Sequence, residues 1–113
     1  MRTLFYVGEI VEEEGTFGTL TEELMSMCDE VTSCDTFESF IENIENLGVP
    51  DEIMFKNFIL SKECIGYLTH YCFENKTPLP KWWFFNLEDD ELFELHDLMM
   101  TYKKYEDGCK INL

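Results

Sequence analysis

Residues 35–50, DTFESFIENIENLGVP, carry the clearest structural signal in the sequence. The first four of them, Asp35-Thr36-Phe37-Glu38, resemble a capping box. Apolar residues then recur every three or four positions: Phe37, Phe40, Ile41, Ile44 and Leu47. A glycine and a proline follow, and both are typical of the end of a helix. The stretch therefore predicts an amphipathic helix with one apolar face.

The chain beyond this helix predicts further elements. Residues 52–60, EIMFKNFIL, fit either a strand or a helix begun by Pro50. Ser61 is predicted to cap the next helix. The apolar face of that helix contains Cys64, Ile65, Leu68, Tyr71 and Cys72. Residues 82–85, WWFF, read as a buried strand or an aromatic plug, and Asn86 is predicted to cap a last helix. The inner face of this last helix contains Leu92, Leu95, Met99 and Tyr102.

The chain before the helix predicts a strand and one more helix. Residues 3–11 are rich enough in β-branched and aromatic side chains for a strand, which EEEG at 12–15 can turn. A helix is predicted behind a Thr19 cap, ending at about Glu30. Its apolar positions are Leu20, Leu24, Met27 and Val31. The last residues, CKINL, fit an edge strand. This order predicts an α+β domain of three or four helices packed on a small, mainly antiparallel sheet.

Composition indicates a single acidic globular domain over residues 1–113. An apolar content of 45 % and an aromatic content of 15 % are sufficient for a hydrophobic core. The formal net charge is −16, from 24 acidic residues against eight lysines and arginines. This charge argues against direct contact with nucleic-acid phosphates or anionic lipid, because both attract basic clusters.

The chain shows no feature that directs it to a membrane or to secretion. No window approaches the roughly 18 apolar residues of a transmembrane helix, and the start of the chain does not fit a signal peptide. Five cysteines without a C-x-x-C pair favour reduced thiols. We therefore expect a cytoplasmic protein.

The acidic residues are distributed unevenly. Residues 3–55 contain fourteen of them and no lysine or arginine. One row at helical spacing consists of Asp35, Glu38, Glu42 and Glu45, and a second of Asp90, Glu94 and Asp97. Such rows are commonly just the solvated side of an amphipathic helix. Two rows in a chain so short of cations favour instead a surface that meets the cations of another protein.

The aromatic run at Trp82 and Trp83 is the second candidate for partner binding. Four consecutive aromatic residues in a strand cannot all face one side, because alternate side chains point to opposite faces. One pair is expected in the core, and the other lies under a helix or at the surface. Exposed aromatic rings beside carboxylates are typical of a protein interface.

Catalytic and metal-binding patterns are weak. His70 and His96 lack the partners of a zinc or di-iron motif, so no metal or cofactor is expected. Pro50-Asp51 with Glu74-Asn75-Lys76 resembles a loose nuclease pattern, but the net charge would repel a nucleic-acid substrate. A hydrolase that uses two carboxylates stays open, because a sequence does not reveal which pair converges.

These observations favour a binding protein over an enzyme. The first expectation is a stoichiometric inhibitor, an immunity protein or antitoxin, that covers the active cleft of a basic nuclease or other nucleic-acid-acting toxin. The second is a phage- or plasmid-encoded DNA mimic that inhibits a restriction or CRISPR system. The third is a small carboxylate-dependent hydrolase. The oligomeric state is left open by the sequence.

Overall fold

Strands and helices alternate along the chain. The computed structural model describes residues 1–8, 22–85 and 87–111, with side chains up to residue 102. The strands are β1 (Thr3–Val7), β2 (Glu30–Cys34), β3 (Glu52–Phe55) and β4 (Lys81–Phe84). Residues 22–26 are helical and are called α1. The longer helices are α2 (Phe37–Leu47), α3 (Phe58–Asn75) and α4 (Asp89–Ile111).

The four strands form one parallel sheet in the order β2-β1-β3-β4. The expected mainly antiparallel sheet is therefore wrong, and the fold is α/β. The physical reason is the connection between strands. A helix between two neighbouring strands returns the chain to the edge where the first strand began, so the next strand runs in the same direction. A hairpin would have reversed it.

The topology separates the helices between the two faces of the sheet. The step from β1 to β2 and the step from β2 to β3 run in opposite directions across the sheet. Right-handed crossovers then place α1 and α2 on opposite faces. Leu24 of α1 packs with Leu4 and Met54 on one face, whereas Phe40 of α2 packs with Phe5 on the other.

The two central strands are buried on both sides. All four residues of β3 are buried, and in β1 only Thr3 is not. Apart from the buried carboxylate of Glu52, these strands are largely apolar, which is typical of parallel strands covered by helices. The edge strand β2 is polar and largely exposed, and its only buried residue is Cys34.

Helix α2 confirms the helix predicted within residues 35–50, but its cap is Thr36 and not Asp35, the first residue of the predicted capping box. The Oγ1 atom of Thr36 accepts a hydrogen bond of 3.0 Å from the backbone N–H of Ser39. The helix ends at Gly48, whose φ of 85° favours glycine. Of the predicted apolar face, Phe40 and Ile44 are buried and Phe37 and Ile41 are half-buried. Leu47, at the end of the helix, is 64 % exposed and does not belong to the buried face.

Residues 52–60, which fit either a strand or a helix by sequence, contain a strand and then the start of a helix. Strand β3 ends at Phe55, and α3 begins three residues later. The cap of α3 is Asn57, whose Oδ1 accepts from the backbone N–H of Leu60 at 3.0 Å. The predicted cap, Ser61, is a buried residue inside the helix that donates its hydroxyl to the carbonyl of Asn57 at 2.6 Å.

Two further predictions differ from the structure. The first helix does not extend to Glu30, because α1 ends at residue 26 and Glu30 begins β2. The carboxyl-terminal residues 109–111 belong to α4 and not to an edge strand. The proposed Thr19 and Asn86 caps, and the turn at 12–15, lie outside the described residues.

Candidate protein-interaction surface

Helices α2, α3 and α4 form a layer on one face of the sheet, with α3 in the middle. Phe37 and Phe40 of α2 pack edge-on against Tyr67 of α3. On the other side of α3, Lys62 forms an ion pair with Glu94 of α4. Up to residue 102, the three helices carry three, two and five carboxylates, against a single lysine. We call the outward side of this layer the helical surface.

The first predicted row is shorter than its spacing suggested. Glu38, Glu42 and Glu45 are exposed on α2. Asp35 is also exposed, but it precedes the helix and so does not continue the row. Burial raises the pKa of the Tyr67 phenol, and the nearby Glu45 carboxylate raises it further. The row of α2 thus borders the side of α3 that carries this tyrosine.

The second predicted row lies entirely on α4. Asp90, Glu94 and Asp97 are all exposed. Asp90 is in the first turn, where the helix dipole stabilises a carboxylate without any partner. Glu94 Oε1 lies 2.8 Å from the Nζ of Lys62, with both side chains partly solvated. Part of this row therefore has an explanation within the fold, and exposure of the carboxylates alone does not establish a binding site.

The two tryptophans of the aromatic run face opposite sides of the sheet. Trp82 stacks on Phe55 with ring centroids 5.7 Å apart, on the face covered by α2 to α4. Trp83 lies on the other face, where its Nε1 donates to Glu52 at 3.1 Å and Lys81 Nζ lies 4.4 Å from the ring centroid. Both indoles are half-buried and have partners within the fold. Their predicted role in partner binding stays a prediction.

The described aromatic side chain that is most exposed is one that the sequence reasoning overlooked. Phe93 on α4 is 72 % exposed, and Met100, one heptad later, is 43 % exposed. Leu95 of the same helix is fully buried. A signal was present in the sequence, because Phe93 and Met100 fall outside the spacing of the inner apolar face. They define a second apolar strip on the outward side of the helix.

A buried carboxylate lies on the opposite face of the sheet. Glu52 is only 5 % exposed, and Arg2 binds both of its oxygens, one through Nη2 at 2.7 Å and the other through Nε. Trp83 donates to the same carboxylate, and the Cys28 thiol lies within 3.7 Å of it. The hydrogen bonds from Arg2, above all, lower the pKa of Glu52 to about 2. This cluster joins the start of the chain to β3 and β4, which is a structural role.

The remaining candidates for chemistry have local partners within the fold. His70 Nε2 lies 2.9 Å from Glu74 Oε1, and both side chains are exposed on α3. Asp51 accepts hydrogen bonds from the backbone N–H and the hydroxyl of Thr3 at 2.9 and 3.2 Å. Among the described residues, no three His, Cys, Asp or Glu side chains are grouped to hold a metal ion.

Three comparisons with known proteins give no match for this chain. No protein-family model matches it, and neither does any curated protein or solved structure. In the described part of the chain, no helix has the length and apolar character needed to cross a membrane.

Proposed function

We propose that the protein is an acidic stoichiometric inhibitor, an immunity protein or antitoxin, that covers the active cleft of a basic nuclease or another nucleic-acid-acting toxin. The observation that carries the proposal is the helical surface. Up to residue 102, its three helices carry ten carboxylates against one lysine, Lys62. A cleft that binds phosphates is lined with lysine and arginine and would accept such a surface in place of its substrate.

Binding requires no chemistry by this chain. Opposite charges would steer the two proteins together and accelerate association, while contacts at the centre of the interface would set the dissociation rate. The proposed compartment is the cytosol, where Cys28, Cys34, Cys64 and Cys72 would keep the free thiols that the structure shows. Steric occlusion of the cleft would then suffice to inhibit the enzyme.

The first experiment measures binding to a panel of purified basic nucleases, made catalytically inactive and including any nuclease encoded by a neighbouring gene. We expect at least one member to bind at micromolar affinity or better, with one-to-one stoichiometry. Association should slow steeply as salt rises, because attraction between charges is screened beyond about 8 Å at physiological ionic strength. Inhibition of the active form of the same enzyme should follow binding.

A pair of charge reversals locates the interface. Asp90→Lys with Asp97→Lys should slow association on the order of tenfold at low salt. Glu94 is left unchanged, because its loss would release Lys62. The matched control is Glu22→Lys with Glu23→Lys, two exposed residues of α1, on the other face of the sheet. Equal losses in both variants, or no binding to any panel member, would contradict the proposal.

DNA mimicry is the second candidate, and one observation favours it. The rows of α2 and α4 lie on the same layer with α3 between them, so the helical surface presents two separate lines of carboxylates. Within each line the axial rise between successive carboxylates is about 4.5–6 Å, of the same order as the about 3.4 Å per phosphate along one strand of B-DNA. Binding to a restriction or CRISPR complex, with no binding to any toxin nuclease, would support this candidate instead.

A further inference from the structure

Phe93 and the acidic residues around it form the most distinctive feature of the helical surface. On a helix, the neighbours of a residue lie three and four positions away on either side. For Phe93 these neighbours are Asp89, Asp90, His96 and Asp97. Three of the four are exposed carboxylates, and together they form what we call the carboxylate rim.

The exposure of this ring is unusual within the molecule. Every other described phenylalanine, tyrosine and tryptophan is buried or half-buried, whereas 72 % of Phe93 is accessible. Met100 extends the apolar strip by one heptad, about 10 Å along the helix axis. The helix dipole accounts for carboxylates in the first turn, but it does not account for an exposed aromatic ring among them.

We propose that Phe93 is the apolar anchor of the interface and that it enters a pocket bordered by lysine or arginine side chains of the partner. This inference rests on the proposed function, because it names the chemistry of the partner at the same surface. The negative charge of the carboxylate rim requires basic side chains around the partner's pocket. The phenylalanine ring requires an apolar interior. Interfaces commonly combine such a desolvated aromatic centre with a polar surround that excludes water.

Other occupants fit the same surface less well. A second copy of this chain would bring another −16 charges towards the carboxylate rim, and the two surfaces would repel each other. A membrane surface has the same sign of charge as the rim. A nucleic acid is disfavoured for the same reason. A cationic protein with an apolar pocket is the partner that satisfies both the charge and the ring.

Two defined probes separate the anchor from the charge. The first is a fluorescently labelled helical peptide with a leucine stripe flanked by lysines, and the second is polylysine of the same length. We expect the wild type to bind both. Phe93→Ala should weaken binding of the leucine–lysine peptide at least about tenfold and leave polylysine binding unchanged. The Asp90→Lys and Asp97→Lys pair should weaken binding of both probes.

Ile59→Ala is the matched control, because Ile59 is 66 % exposed on the neighbouring helix α3. It should leave the affinity for both probes unchanged, and melting curves should show all variants folded. If Ile59→Ala weakens peptide binding as much as Phe93→Ala does, or if neither has an effect, Phe93 is not the anchor and the inhibitor proposal stands by itself. If neither probe binds the wild type, the cationic partner is wrong as well.

Discussion

The carboxylate of Glu52 and the carboxylates of the helical surface belong to the same protein and have opposite surroundings. Glu52 is almost completely buried, and Arg2 and Trp83 donate hydrogen bonds to it. Glu42 on α2 is exposed, with Glu38 four positions before it and Glu45 three positions after it. The first carboxylate is surrounded by donors, whereas the second has like charges on the same helix.

This difference separates carboxylates that stabilise the fold from those that can serve a partner. A buried charge is tolerated only when its hydrogen-bonding capacity is satisfied, so removing either member of such a pair is destabilising. An exposed row of like charges slightly disfavours the folded state. A sequence with many acidic residues thus contains at least two functional classes, which composition alone does not distinguish.

The largest effect is expected from removal of the buried charge. Glu52→Gln keeps the shape of the side chain but turns amide hydrogens towards the donors of Arg2 or Trp83. We expect the free energy of unfolding to fall by about 2 kcal/mol, measured by urea denaturation, because charge-assisted hydrogen bonds are lost. Glu38→Gln, at an exposed site, should change it by less than about 0.5 kcal/mol. Equal effects of the two variants would remove the distinction between the two classes.

The pH dependence should identify the same carboxylate. The folded-state pKa of Glu52 lies at about 2, below its ordinary value of 4.5. A depressed pKa contributes stability that is fully present above pH 4.5 and is lost as the pH falls towards about 2. The stability difference between wild type and Glu52→Gln should therefore be constant from pH 5 to 7 and shrink steadily below pH 4.5. A difference that persists unchanged at pH 2.5 would show that the ionised form is not responsible.

The smallest effect is expected from the α2 row, and its sign is opposite. Glu42→Gln removes the charge repulsion between Glu42 and two neighbours on the same helix, Glu38 and Glu45. The variant should be more stable than the wild type by about 0.5 kcal/mol at low ionic strength. The gain should disappear in 1 M salt, where the screening length is about 3 Å. A loss of stability at low salt would assign Glu42 a structural role that its exposure does not suggest.

Part of the candidate surface could be predicted from the sequence. Helical spacing placed Glu38, Glu42 and Glu45 opposite the apolar side of α2, and the described structure has all three exposed. Such a prediction succeeds because the geometry of a helix is local, and one buried face determines the other. Asp35 was misplaced because the spacing continues through the cap, whereas the helix itself begins at Phe37.

The exposed Phe93 and the buried Glu52 could not be assigned in the same way. By residue type, phenylalanine is expected inside and glutamate outside, and both are exceptions here. Glu52 is buried because Arg2, fifty positions earlier in the chain, is brought beside it by the pairing of β1 with β3. No local sequence pattern indicates that two residues fifty positions apart form an ion pair.

The sequence by itself determined several local features: the helix α2, the first strand, the alternation of Trp82 and Trp83, and the excess of negative charge. Only the tertiary structure decided that the strands are parallel and that the polar residues Glu30–Cys34 form an edge strand. It also decided which carboxylates are buried. The physical reason is the separation along the chain over which each interaction acts. Helix and strand periodicity arises from neighbouring residues. Strand direction and burial depend instead on contacts between residues far apart in the chain.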